Sequence, residues 1–403
     1  MRISTGMIYD SNVTTLNQQQ AKLLQTQQQL ATGRRLLTPS IDPAAAAQAL
    51  EVSHADATNT QYTTNRDSLK GTLTQMDSTL QGITGVMQDV RTSLVGASFS
   101  TYTDSDRLSM ANALQSRLDQ LVSMANTKDA NGSYVFSGFQ SKTQPFSNTA
   151  VGYAYFGDDG KKLTQISDTL QVGATQSGAD IFMRVKNGNG VFVTQPAATN
   201  TGTALMNQGS VTNPTAFTGN NYSISFAVAV GVTTYNVTNT TTGAAVLTAQ
   251  PYTTGQAIAF DGMQMTVQGA PANGDQFTVA PSSNVSIFKN IADAIAALKV
   301  PVAGNPQLAN ALVGNLSNII SNMDRGLSSI SAANTVVGAS MNAVDSAQSM
   351  GDNLGLSYKQ TLSNLQDTDY NKAATDLAQQ QLSLQAAQKS FVQVSNLSLF
   401  TYM

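Results

Sequence analysis

Few side chains in this chain of 403 residues are suited to chemistry: it has a single histidine, His54, and no cysteine. Histidine works as an acid, a base or a metal ligand only beside a partner group. Asp56 is two residues away, which on a helix turns it to another face. His54 therefore reads as a solvated or capping side chain. Gly157 to Lys162, GDDGKK, brings glycine next to lysine but lacks the four-residue interval and the Ser/Thr of a phosphate loop, so it reads as a hairpin turn. The acidic triplets at Asp104 to Asp106 and Asp367 to Asp369 resemble the start of a calcium loop. Neither continues into the glycine and distant glutamate of one, and helix capping accounts for both. VKNGNGVF lacks the third glycine and the helix of a dinucleotide fingerprint. No nucleophile is paired with a base, so the sequence points away from an enzyme, a cofactor and a resident metal.

Charged residues make up 11% and the formal net charge is -3, which argues against nucleic acid or an anionic membrane as main partner. Without cysteine there are no disulfides or thiolate sites. MRISTGMIYDSNV has no apolar signal-peptide core, and no run approaches the ~18 apolar residues of a membrane span. If exported, the chain does not use an ordinary cleaved signal.

The chemistry that remains is association. In TLNQQQAKLLQTQQQLATGRRL, Leu16, Leu23 and Leu30 recur at sevens, a coiled-coil period, but the companion column is Gln19, Thr26 and Gly33. Near the other end Tyr370, Leu377, Leu384 and Phe391 repeat the period beside Ala373, Gln380, Ala387 and Val394. Each is half a seam, marginal alone. Their remaining faces carry glutamine, and Glu51 is the chain's one glutamate. A polar, uncharged helix face packs against identical copies without assembling like charges. The expected assembly interface is Leu16, Leu23, Leu30, Tyr370, Leu377, Leu384, Phe391 and Val394.

Longer elements must position these ends. Asp42 caps a helix begun by Pro43. Leu69, Leu73, Met76, Leu80, Ile83, Met87, Val90 and Leu94 follow at spacings of four and three, extended backward by Val52, Ala55 and Tyr62. A second amphipathic run places Leu108, Ala111, Leu114, Leu118, Leu121 and Ala125 on one face. From Asn131 the period becomes two: NGSYVFSGF reads as an Asn-Gly turn and a short strand, and the next segment as a hairpin turning at Asp159-Gly160. Strands follow at Tyr222 to Val230, Tyr235 to Val237, Ile258 to Phe260, Met263 to Val267 and Phe277 to Val279. A long helical run from Leu308 to about Gln366 has the column Leu316, Met323, Ile330, Val337, Val344, Gly351, Tyr358 and Leu365, with Gly326, Ala333, Ser340 and Ala347 between. The expected fold is mainly α with an inserted β domain. Residues 1–35 with 366–403 form terminal helices ordered on assembly, 36–185 with 284–365 a coiled helical domain with a β-hairpin, and 186–283 a small β domain. The chain runs out and back along a rod, since ~50 helical residues span about 75 Å.

MRISTGMIYD with QQQLATGRRLLTPSIDPAAAAQAL, then KDANGSYVFSGFQSKTQPF, then DTDYNKAATDLAQQQLSLQAAQKSF, resemble the flagellar hook-associated protein 3 family, hook-filament junction proteins related to flagellin. Ile41 departs from the acidic residue usual before Asp42-Pro43. The resemblance implies a flagellin-like fold with the β domain outermost, and a structural, non-enzymatic role without cofactors. It implies export through the flagellar type III apparatus to the extracellular flagellum, and a ring of copies between the hook-side junction protein and flagellin. It also implies an export chaperone on the C-terminal region. A flagellin filament subunit is the alternative, and an adhesin or tail-fibre-like protein acting through the β domain a further one.

Overall fold

The computed structural model describes residues 5–98, 102–150 and 152–396, except for the side chains of 5, 6, 8 and 394–396. Its α-helices are α1 (Thr5–Thr32), α2 (Pro43–Ala97), α3 (Asp104–Ala125), α4 (Ile287–Leu298), α5 (Pro306–Gln366) and α6 (Tyr370–Asn396). Packing divides the chain into two compact units, Met1–Thr64 with Ser346–Met403, and Asn65–Asp345. The composition of the sequence suggests cuts at 35/36 and 365/366; the packing cut is a separate property.

In the second unit, every residue of the α2 column from Leu69 to Leu94 is buried, as are Leu316, Met323, Ile330, Val337 and Val344 on α5. The small residues of α5 let the columns meet closely. A Cβ at Gly326 would sit 3.0 Å from Met87 Cε and 3.1 Å from Ile287 Cγ1. Lys70–Asp345 at 2.7 Å and Arg91–Asp324 at 2.5 Å join the same two helices. Both pairs are about half exposed, so they add little beside the burial.

Helix α3 buries Ala111, Leu114, Leu118, Leu121 and Ala125, but Leu108 is exposed. Arg107 is buried in its place. Its guanidinium turns back toward the helix start, donating to Tyr102 O at 2.7 Å and pairing with Asp104. Thr103 and Asp106 close a capping box there.

Strands β1 (Phe146–Thr149) and β2 (Gly152–Tyr155) form one hairpin, and β3 (Leu163–Gln165) and β4 (Gln171–Gly173) a second. Neither turns at Asp159-Gly160. Asp158 Oδ1 accepts from Gly160 N at 2.8 Å and from Phe139 N at 2.8 Å, which ties this loop to another segment rather than to a flanking strand. The Asn131-Gly132 turn is present, with Gly132 at φ +72°. The residues after it make isolated bridges, such as Lys128 with Tyr134, instead of a strand. Phe146, Phe182 and Phe288 pack at 5.1 to 5.7 Å between ring centroids and seat α4.

The inserted region begins and ends where β5 (Val185–Lys186) pairs with β15 (Asn284–Val285). Between them run β6 (Phe192–Pro196), β7 (Leu205–Met206), β8 (Ser210–Val211), β9 (Tyr222–Ala229), β10 (Val232–Asn239), β11 (Ala245–Pro251), β12 (Ala257–Phe260), β13 (Met263–Gln268) and β14 (Gln276–Pro281). One sheet has the order β11-β10-β9-β14-β6 and a second β12-β13-β7, with β8 also on β13. Both contribute to one core, which includes Phe192, Ile224, Phe226, Met265 and Phe277. The alternation of β9 outruns that core: Val228 is exposed and Val230 is fully so. Polar side chains of α5 fasten the region. Asn318 Nδ2 donates to Thr194 O at 3.1 Å, Asn322 Oδ1 accepts from Gly188 N at 2.9 Å, and Arg325 reaches Asn189 O.

The Asp104 carboxylate also accepts from Val302 N at 3.1 Å and Ala303 N at 3.2 Å, clasping the loop before α5 to the start of α3. The Arg107 hydrogen bond first, and the Val302 amide next, hold its pKa below the usual carboxylate value. A depressed carboxylate stabilises the fold above its unfolded pKa, and that contribution is lost as pH falls through the folded one. Asp104→Asn should therefore be less stable than the parent near neutrality and lose less on acidification to about pH 3. Urea midpoints of both proteins at the two pH values measure this.

Candidate assembly interface

The expected interface residues lie on α1 and α6, which pair antiparallel within the first unit. At one end, the rings of Tyr9 and Phe391 pack at 5.2 Å between centroids. At the other, Gly33 ends α1 with φ +70°. Its carbonyl accepts from Thr368 N at 2.9 Å, and Arg35 N donates to Gln366 O at 2.7 Å. The Arg35 guanidinium adds a bond to Leu365 O at 2.7 Å and faces Asp42 at 3.5 Å. Asp42 in turn accepts from Ala45 N at 3.0 Å, the cap expected before Pro43. Asp369 caps α6 through Asn371 N at 3.0 Å and Lys372 N at 3.1 Å. The acidic triplet there is thus a helix start, and among the described residues no three His, Cys, Asp or Glu are grouped to hold a metal. His54 is exposed on α2. No described helix is long and apolar enough to cross a membrane.

Both stripes have a period of seven, so moving one repeat along α1 corresponds to moving one repeat back along α6. From the Tyr9 and Phe391 contact, the level partners are Leu16 with Leu384, Leu23 with Leu377, and Leu30 with Tyr370. The leucines and Phe391 are half-buried, whereas Tyr370 is 58% exposed. Tyr370 lies at the pair's end, where its hydroxyl would be 2.9 Å from a Cβ on Gly33. The side chain of Val394 lies outside the described residues. On α1 and α6, the described residues that are fully buried are Thr26 and Ala373, both from the companion columns. The heptad reading placed Thr26 and Ala373 in the companion columns but left them, with Tyr9, out of the expected interface, because a threonine, an alanine and an N-terminal tyrosine do not stand out in a leucine repeat. The outer faces carry exposed Gln20, Gln27, Gln381 and Gln388. Leu24, Leu382 and Val392 are also exposed there, at 57%, 68% and 54%.

Residues 3–141 match the family described as bacterial flagellin N-terminal helical region, and residues 196–281 match the D2-like domain of flagellar hook-associated protein 1. Flagellar hook-associated protein 3 of Escherichia coli (strain K12) is 27% identical over 400 residues, covering 99% of each chain. The crystal structure of flagellar hook-associated protein 3 from Legionella pneumophila is 31% identical, with TM-score 0.74 over 78% of this chain and 98% of that one. The FlgL structure from Xanthomonas campestris is 29% identical, with TM-score 0.72 over 77% and 99%.

The close at Gly33 is open to a direct test. Gly33→Ala places a side chain at φ +70° against the Tyr370 hydroxyl and should cost about 1–2 kcal/mol. The measurement is amide exchange in the assembled chain at Thr368, whose proton bonds Gly33 O; it should accelerate while exchange from Leu69 to Leu94 stays unchanged.

Proposed function

The chain belongs to the flagellar hook-associated protein 3 family, and from that membership we propose how it works: as a structural part of the flagellum that joins hook to filament through its two terminal helices. The supporting observation is how little those helices bury. A half-buried leucine contributes less than the roughly 1.5–3 kcal/mol of a fully buried one, while ordering backbone costs about 1–2 kcal/mol per residue before hydrogen bonds contribute. With Thr26 and Ala373 as their fully buried positions among the described residues, α1 and α6 have a thin interior and an outer face of uncharged carboxamides and exposed leucines. Neighbouring copies would supply the missing burial.

In this reading residues 1–35 and 366–403 order on assembly as the innermost layer. Residues 36–185 with 284–365 form the next layer, and 186–283 face outward. The chain leaves the cell through the flagellar type III apparatus without a cleaved signal, escorted by an export chaperone on its C-terminal region. Copies close a ring that meets the hook-side junction protein on one side and flagellin on the other. The role is mechanical, and no catalysis is assigned to it.

Two measurements test the reading. Full-length chain and chains lacking 1–35 or 370–403 are expressed in a strain without the parent, and filaments are counted by electron microscopy. Both shortened chains should remain soluble and folded yet leave hooks bare; normal filament numbers would sink the proposal. Hydrogen exchange on the monomer should be fast in 1–35 and 370–403 and slow from Leu69 to Leu94, and protected termini would overturn ordering on assembly.

A further inference from the structure

The sequence holds four Asn-Gly pairs, which begin at Asn131, Asn187, Asn189 and Asn273. The carboxamide carbon of an asparagine is within reach of the next residue's amide nitrogen, and glycine has no Cβ to hinder the attack. All four glycine amides donate a hydrogen bond: Gly132 N to Asp129 O at 2.9 Å, Gly188 N to Asn322 Oδ1 at 2.9 Å, Gly190 N to Asn187 O at 3.1 Å and Gly274 N to Phe226 O at 2.9 Å. Reaction at any of them waits on local opening.

What differs is the grip on the asparagine. Asn187 donates to Ser283 Oγ and accepts from Ser283 N, Asn189 donates to Gln208 O and accepts from Val191 N and Phe192 N, and Asn273 Oδ1 accepts from Val228 N. The Asn131 carboxamide is exposed and makes no hydrogen bond among the described residues. The space around its glycine is equally open, since a Cβ on Gly132 would meet nothing within 4 Å. Lys142 Nζ donates at 3.3 Å to Asn131 O, the carbonyl of the same peptide whose nitrogen attacks. Its charge stabilises the negative charge that gathers on that oxygen as the amide loses its proton.

We propose that Asn131 is a site of self-modification, deamidated through attack by Gly132 N with Lys142 as the activating charge. The bond from Gly132 N to Asn131 Cγ forms, the Cγ–Nδ2 bond breaks, and ammonia leaves with the amide proton. Water then opens the cyclic imide, at Cγ to give aspartate or at the main-chain carbonyl carbon to give isoaspartate. Either product puts a carboxylate in the turn where Asp129 Oδ1 accepts from Asn131 N and Ser133 N, both at 2.9 Å. Isoaspartate also lengthens the main chain, and the turn closed by Asp129 N and Ser133 O no longer fits it.

The test incubates purified full-length chain in neutral buffer, native and in urea, and follows amide-to-acid conversion at each asparagine by peptide mass spectrometry. In the native chain Asn131 should convert at least about tenfold faster than Asn187, Asn189 and Asn273, the margin of one or more carboxamide hydrogen bonds, and in urea the four rates should converge. Lys142→Met should slow conversion of Asn131 several-fold in the native chain and leave the other three as they are. A native rate at Asn131 no faster than at the others overturns the proposal, and so does the same ranking in urea, because the fold would then not select the site. An unchanged native rate in Lys142→Met refutes the activating charge. The comparison of native and urea rates uses the parent chain, so it decides the site even if the variant misfolds.

Discussion

The close packing of α2 on α5 is the interaction on which the rest of the second unit depends. One helix presents an unbroken column of large apolar side chains, and the other alternates large residues with small ones such as Gly326 and Ala333. Met87 can therefore approach the α5 backbone, and Ile287 brings the start of α4 to the same place. The hydrophobic area removed from water along these columns far outweighs the half-exposed ion pairs beside them. The aromatic cluster, α3 and the neck of the β region all rest on this frame.

The first unit is built with the same period but opposite economy of side chains. Its stripes keep the sevenfold recurrence, yet the companion column is polar or small, and most of the described surface of α1 and α6 remains wet. The ends are fixed better than the middle: backbone bonds between 33–35 and 366–368 hold the helices at one end, and an aromatic pair meets at the other. A helix pair held this way has a defined direction and register while leaving most of its surface available to others.

Much of this was legible in the sequence because a repeated four-and-three spacing has one physical meaning over many turns. Leu69 to Leu94 is such a run, and it is buried throughout. The misreadings are local. The Asp159-Gly160 turn looked like a hairpin because Asp-Gly favours one, but Asp158 is engaged by Phe139 N, a partner remote in sequence. Leu108 fitted the helical period and lost its place to Arg107, whose guanidinium found partners at the helix start. Val228 and Val230 continued a strand alternation beyond the end of its core. In the candidate interface, the leucine columns could be read directly. The burial of Thr26 and Ala373 depends on which residues stand level across two helices far apart in the chain, and no local pattern encodes that.

The neck formed by β5 and β15 has an architectural consequence. Because the chain enters and leaves the β region through two strands paired side by side, with Val185 opposite Val285, the insertion occupies a single point on the helical frame. Asn318, Asn322 and Arg325 fasten it through contacts that include backbone atoms of the insert, and backbone groups survive changes of side chain. Such an insert behaves like a plug in a socket. It can grow, shrink or be exchanged for another fold while α2 and α5 keep their spacing, so its surface is free to diversify without disturbing the helical frame.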